Sequence, residues 1–149
     1  MRYRQLFAST MLSLAFVSHA GAQASKPASE VIVAHFAIEA DKSDALRAQA
    51  DSCLEQFVAA LTLKGVKVAR APVLSEKNLQ SAPASWAVLG RISREKEQFQ
   101  LELRLLEVKS GDELRSYFNS DKDLKVACRM VDKAAERIAV FVAEQRSTP

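Results

Sequence analysis

The 149-residue sequence predicts an α/β fold: a two-layer sandwich with a mixed five-stranded sheet and two main helices on one face. Three observations carry that prediction. A near-continuous apolar run, VIVAHFAI at 31–38, has the β-branched and aromatic content of a strand covered on both faces. The stretch WAVLGRISREKEQFQLELRLLEVKSGDEL, Trp86 to Leu114, alternates apolar and polar residues and breaks at two polar turns. Two further segments, 41–63 and 121–145, repeat apolar residues at helical spacing. The expected order is strand, helix, strand, three-stranded meander, helix.

The chain opens with a segment that reads as a leader rather than as part of the fold. Residues 1–22 place Arg2 and Arg4 before an apolar run and end on Ala20-Gly21-Ala22, the pattern of a cleaved secretory signal. Residues 23–30, QASKPASE, suit a flexible lead-in, and a single domain is expected over 31–146. Both charged side chains of the leader are Arg, so the 21 Lys and Arg against 18 Asp and Glu of the full chain become 19 against 18 after cleavage. That near-neutral balance argues against a nucleic-acid partner, whose phosphates demand a basic excess. Without the leader no stable membrane span is expected, and the protein should be periplasmic or secreted.

The helix at 41–63 gathers Leu46, Ala50, Cys53, Leu54, Phe57, Ala60 and Leu61 on one side. Asp41 or Ser43 is placed to cap it, and Gly65 to end it. The alternating VKVAR at 66–70 then returns as a strand parallel to the first. Pro72 and Pro83 confine residues 71–85 to a loop with at most a short helical piece at 76–80. In the meander, a turn at 93–98 would pair Ile92 with Phe99, Gly90 with Leu101, Val88 with Leu103 and Trp86 with Leu105. A second turn at 109–112 would pair Leu103 with Phe118 on the same apolar face. The final helix has Ser120 and Asp123 as a capping box, with Leu124, Ala127, Cys128, Val131, Ala135, Ile138 and Val142 as its buried stripe.

The pattern SWAVLGRI…QFQLELRLLEVKSGDEL is a strand ending in Leu-Gly, a polar turn, a long alternating strand, a Gly-bearing turn and a terminal helix. It resembles the amino-terminal domain of the Tol-system protein TolB and its relatives in the curli-secretion protein CsgG and the penicillin-binding-protein activator LpoB. The resemblance spans roughly 31–145 and rests on apolarity and glycine placement. It implies a non-catalytic envelope module that binds other proteins. The chain is expected to depart from those relatives in having no β-propeller and no acylated cysteine, and no functional residue transfers from them.

Chemistry-bearing constellations are few. His35 is the one histidine outside the leader, and its place in the first strand predicts a packed, hydrogen-bonded side chain rather than a metal ligand or base. No Gly-x-Ser-x-Gly elbow or glycine-rich phosphate loop occurs, so no catalytic residue, metal or cofactor is expected. Asp41, Asp44 and Asp51 read as helix-start or solvated carboxylates, and Lys125, Arg129, Lys133 and Arg137 as a solvated helix face. Cys53 and Cys128 lie toward the margins of their helices' apolar faces, compatible with a disulfide or with two buried thiols. What remains is the sheet face turned away from the helices, expected to display Leu89, Arg91, Gln100, Glu102, Arg104, Leu106, Arg115 and Tyr117. Arg104 should lie across from Tyr117, with Glu102 diagonal to Arg91. Leu89, Arg91, Glu102, Arg104, Arg115 and Tyr117 are therefore the candidate partner-binding residues of an exported accessory protein acting on an envelope protein. The alternative is a small-ligand or glycan-binding module with a cleft near Asp41 and the 71–85 loop.

Overall fold

The computed structural model describes residues 29–40, 43–72 and 74–149. The expected leader, most of the lead-in, and Asp41 lie outside the described residues. Among the described residues, six strands and three helices follow one another as β1 (Val31–Ala34), β2 (Ala37–Ile38), α1 (Asp44–Leu63), β3 (Val68–Ala71), β4 (Trp86–Glu95), β5 (Gln98–Glu107), β6 (Glu113–Asp121), α2 (Leu124–Ala127) and α3 (Met130–Ser147). The sheet order is β3-β1-β4-β5-β6, with β2 also on β4. β1 runs parallel to β3 and β4, whereas β4, β5 and β6 form an antiparallel meander. This is the expected mixed α/β sandwich with an open sheet.

The run at 31–38 makes two strands rather than one, and the cause lies in the neighbouring strand. A Cβ on Gly90 would come within 2.6 Å of Phe36 Cε1 and 2.9 Å of Cγ, with Cδ1 closer still. The Phe36 ring thus occupies the space that any other residue at 90 would fill. Seating it there turns the chain between Ala34 and Ala37 and leaves His35 exposed at the break. The packed strand histidine expected from the sequence is corrected accordingly: its backbone N–H donates to Ala71 O at 3.1 Å, and its ring faces outward.

β1 is buried on both faces, as its continuous apolarity requires. Val31 and Val33 join the main core beneath the helices, together with Val88, Ile92, Leu101, Leu103, Leu105, Phe57 and Ile138. Ile32 points the other way, into a smaller cluster with Ala87, Leu106, Val108, Ala84 and Leu79. Leu79, 1% exposed, comes from a 3₁₀ turn (Leu79–Ser81) that folds the 74–85 loop over one end of the helix-free face. Leu106, expected on a displayed face, is buried beneath that loop for the same reason.

α1 is capped by Ser43, whose Oγ accepts from Leu46 N at 3.2 Å, and its chain reverses at Gly65, φ 79°. The single final helix expected from the sequence is two. Asp123, rather than Ser120, caps α2 by accepting from Lys125 N at 2.9 Å. The Asn119 side chain then donates to Ala127 O at 3.0 Å, while Val131 N turns to Cys128 O at 3.0 Å. With the Ala127 carbonyl claimed by β6, the helix kinks at 128–129. At that elbow Cys128 is joined to Cys53 of α1 in a disulfide, with Cα atoms 5.8 Å apart. At the far end, Arg146 of α3 pairs with Glu30 and donates to Gly65 O at 2.9 Å, fastening the last helix to the start of the sheet.

The meander register differs from expectation in two ways. The first hairpin turns in two residues, Lys96 and Glu97, so Ile92 faces Leu101 and Val88 faces Leu105. That is a shift of two positions, which leaves every side chain on its expected face. The second hairpin carries a register shift at Leu105/Leu106: Leu106 faces Glu113, Leu105 faces Arg115, and Leu114 is the extra residue. A one-residue bulge reverses the faces of all that follows. Leu103 therefore faces Tyr117 rather than Phe118, and Arg104 faces Ser116 rather than Tyr117.

Candidate functional site

The bulge divides the six candidate residues between two places. Leu89, Arg91, Glu102 and Arg104 line a cleft of about 410 Å³ on the helix-free face, with His35, Ala37, Leu74 and Glu113. Arg115 and Tyr117 lie on the helix side, in a separate groove of about 550 Å³ between β6 and α3, with Lys133, Arg137, Val140 and Phe141. Their expected place on the same face as Arg104 is thus corrected.

In the cleft the charges answer one another. Arg91 lies directly across from Glu102, not diagonal to it; its Nη2 is 2.8 Å from Glu102 Oε2, and Nη1 is 3.8 Å from Glu39. Arg104 reaches Glu113 from Nε at 2.6 Å and Glu76 from Nη1 at 2.7 Å. Glu113 first, and then Glu76, raise the affinity of Arg104 for its proton, so it stays cationic. Two guanidiniums facing four carboxylates offer no anion site. The contact with Glu76 instead straps the 74–85 loop across the sheet, and Leu89 is half-buried beneath it.

The β6–α3 groove has a different balance. Phe141 packs edge to face with Trp86, ring centroids 5.6 Å apart at 77°, and the Arg115 guanidinium sits 5.9 Å from the Phe141 centroid. Burial pushes the Tyr117 phenol above its ordinary value, and the positive charges of Arg115 and Arg137 pull it back. Among the described residues, Arg115, Lys133 and Arg137 have no carboxylate within 4.0 Å, unlike Arg70, Arg91, Arg104 and Arg146. Val140 is 54% exposed beside them, and Phe118, on the opposite face of β6, is 61% exposed.

β6 itself is an edge strand of nine residues, paired on one side to β5 and on the other to no described strand. The opposite edge, β3, has four residues. Natural edge strands are guarded by shortness, bulges, prolines or charge. β6 has its bulge and Arg115 at one end, but Ser116-Tyr117-Phe118-Asn119-Ser120 carries none of these guards. The sequence reading takes Lys133 and Arg137 as a solvated helix face and does not single out Val140 or Phe141. The available signal was that Val140 and Phe141 are apolar yet lie off the buried stripe of their helix.

No group of three His, Cys, Asp or Glu side chains arranged to hold a metal occurs among the described residues. No described helix is long and apolar enough to cross a membrane. No family model matches the sequence. No curated protein matches it either. Solved structures do match in fold. The PelC dodecamer from Paraburkholderia phytofirmans is 18% identical, with 72% of this chain and 84% of that one covered at a TM-score of 0.53. TolB from Acinetobacter baumannii is 15% identical over 79% of this chain and 29% of that one, TM-score 0.42. The LpoB C-terminal domain from Escherichia coli is 16% identical over 68% and 88%, also 0.42.

Proposed function

We propose that this protein is an exported, non-enzymatic accessory of the bacterial envelope that works by binding another protein, and that it does so along β6. The observation that carries the reading is the edge strand's unguarded stretch, Ser116 to Ser120, with exposed apolar groups on both flanks, Phe118 on one face and Val140 on the other. Unpaired strand N–H and C=O groups supply affinity to an added strand, and flanking side chains supply selectivity. The disulfide supports a compartment outside the reducing cytosol, as does the leader-like sequence at 1–22. The neighbouring folds, drawn from bacterial envelope proteins, support the same setting.

The deciding experiment is affinity capture from an envelope extract of the source cells by three forms: the native domain, a Ser116→Pro/Phe118→Asp form, and an Arg91→Ala/Arg104→Ala form. Retention of one protein by the native and the arginine-replaced forms, with loss by the β6 form, is the expected result. Retention by the β6 form with loss by the arginine-replaced form would move the function to the cleft. That outcome would favour the small-ligand or glycan-binding module, which a thermal-shift screen would then establish. PelC forms a dodecamer; if the captured protein proves to be this same chain, β6 is a self-assembly edge.

A further inference from the structure

The β6–α3 groove also says what kind of segment fits there. We infer that it accepts an extended segment of a partner protein, about five to seven residues, which adds to β6 as a seventh strand and sets an acidic side chain between Arg115 and Arg137. This rests on the β6 reading above and specifies its partner.

Two observations converge. The first is the free edge: from Ser116 to Ser120 the outer backbone of β6 meets no described strand. The second is the charge beside it. Arg115 and Arg137 line one groove with Tyr117 on the helix side of the strand. Neither has a carboxylate within 4.0 Å among the described residues, and Lys133 lines the same groove without one. Glu136 and Glu144 line the groove too, so against three cations it keeps one positive charge in excess. A segment whose carboxylate lies between the two guanidiniums gains charge-assisted hydrogen bonds in a partly desolvated site. Alternation does the rest. Side chains on the helix side meet the arginines together with Val140 and Phe141, and those on the other side meet Phe118. The fitting sequence is therefore acidic and apolar on one face and apolar on the other. A basic or proline-broken segment fits neither the charge nor the ladder.

The test uses random twelve-residue linear peptides displayed against the immobilised, oxidised domain. Enriched peptides should carry Asp or Glu in an alternating apolar frame without a central proline. Synthesised, the best of them should lose affinity by about tenfold or more on Arg115→Ala/Arg137→Ala. It should keep most of it on Arg115→Lys/Arg137→Lys, and all of it on Arg70→Ala at the opposite edge. Circular dichroism identical to the native form excludes misfolding of the alanine pair. Equal binding to the alanine pair, enrichment of basic or proline-rich peptides, or no enrichment overturns the inference. In each of those cases a Phe118-dependent capture of an envelope protein would still leave the β6 reading standing, with a folded surface rather than a strand as the partner.

Discussion

Replacing Gly90 with Ala adds one carbon at the point where β2 separates from β1. That carbon would fall 2.6 Å from Phe36 Cε1 and 2.9 Å from Cγ, against ordinary contact from 3.4 Å. The ring would have to withdraw by roughly 1 Å or more to relieve it, losing dispersion contacts on its far side as it moves. Phe36 is 8% exposed and packed into the main core, so the ring has little room to yield. Overpacking of this kind costs about 2 kcal/mol. Phe36→Ala alone should cost about 3–4 kcal/mol by opening a cavity. In the Phe36→Ala background, however, Gly90→Ala should cost less than about 0.5 kcal/mol, because the obstacle is gone. Urea unfolding of the four proteins in the cycle, with m-values checked for constancy, gives the coupling directly. If Gly90→Ala costs the same with and without the ring, Phe36 does not explain the glycine, and the break that exposes His35 needs another cause.

The remaining predictions concern other elements. Reducing the Cys53–Cys128 bridge releases a 75-residue loop and should lower stability by about 4 kcal/mol in the chain-entropy model, read as a fall in the urea midpoint with added dithiothreitol. The Glu30 carboxyl is held below its ordinary value of 4.5, first by its hydrogen bond from Arg146, with burial opposing. Because the folded value is the lower one, the stabilisation is fully present above 4.5 and is lost as the pH falls through the folded value; Glu30→Gln should flatten the pH dependence of stability in that acid window. Lys96 has φ 56°, a conformation costing a side-chain-bearing residue about 1 kcal/mol, so Lys96→Gly should leave stability unchanged or raise it by up to that amount in thermal melts. Leu79→Ala should cost about 3 kcal/mol and speed amide exchange in the 74–85 loop, since Leu79 anchors that loop to the helix-free face.

Much of the fold was legible because its signals are periodic. The buried stripe of α1, the two-sided burial of β1 and the helix-facing residues of β4 and β5 all follow from spacing. The failures each have a local cause that spacing does not carry. Lys96-Glu97 contains no Gly, Asn or Asp, so the two-residue turn was hidden, although a shift of two left the faces intact. The bulge at Leu114 was costlier. β6 places Tyr117 and Phe118 side by side, so one aromatic must lie on each face, and alternation alone does not say which. Placing Phe118 rather than Tyr117 on the helix side merges two surfaces into one and joins Arg115 and Tyr117 to a cleft they do not touch. The α2–α3 elbow depends on a side chain of β6 reaching a helix carbonyl, and the burial of Leu106 depends on a loop folding back. Both are tertiary events without a local pattern.

If β6 is the surface that meets the partner, a crosslinker placed along it should trap that partner. A photoreactive amino acid placed in turn at Ser116, Phe118 and Asn119, and for comparison at Glu55 on α1, tests it in living cells. A discrete higher-mass adduct is expected from the β6 positions and none from 55. Adducts from 55 alone, or none along β6 while the partner is still captured, would contradict it.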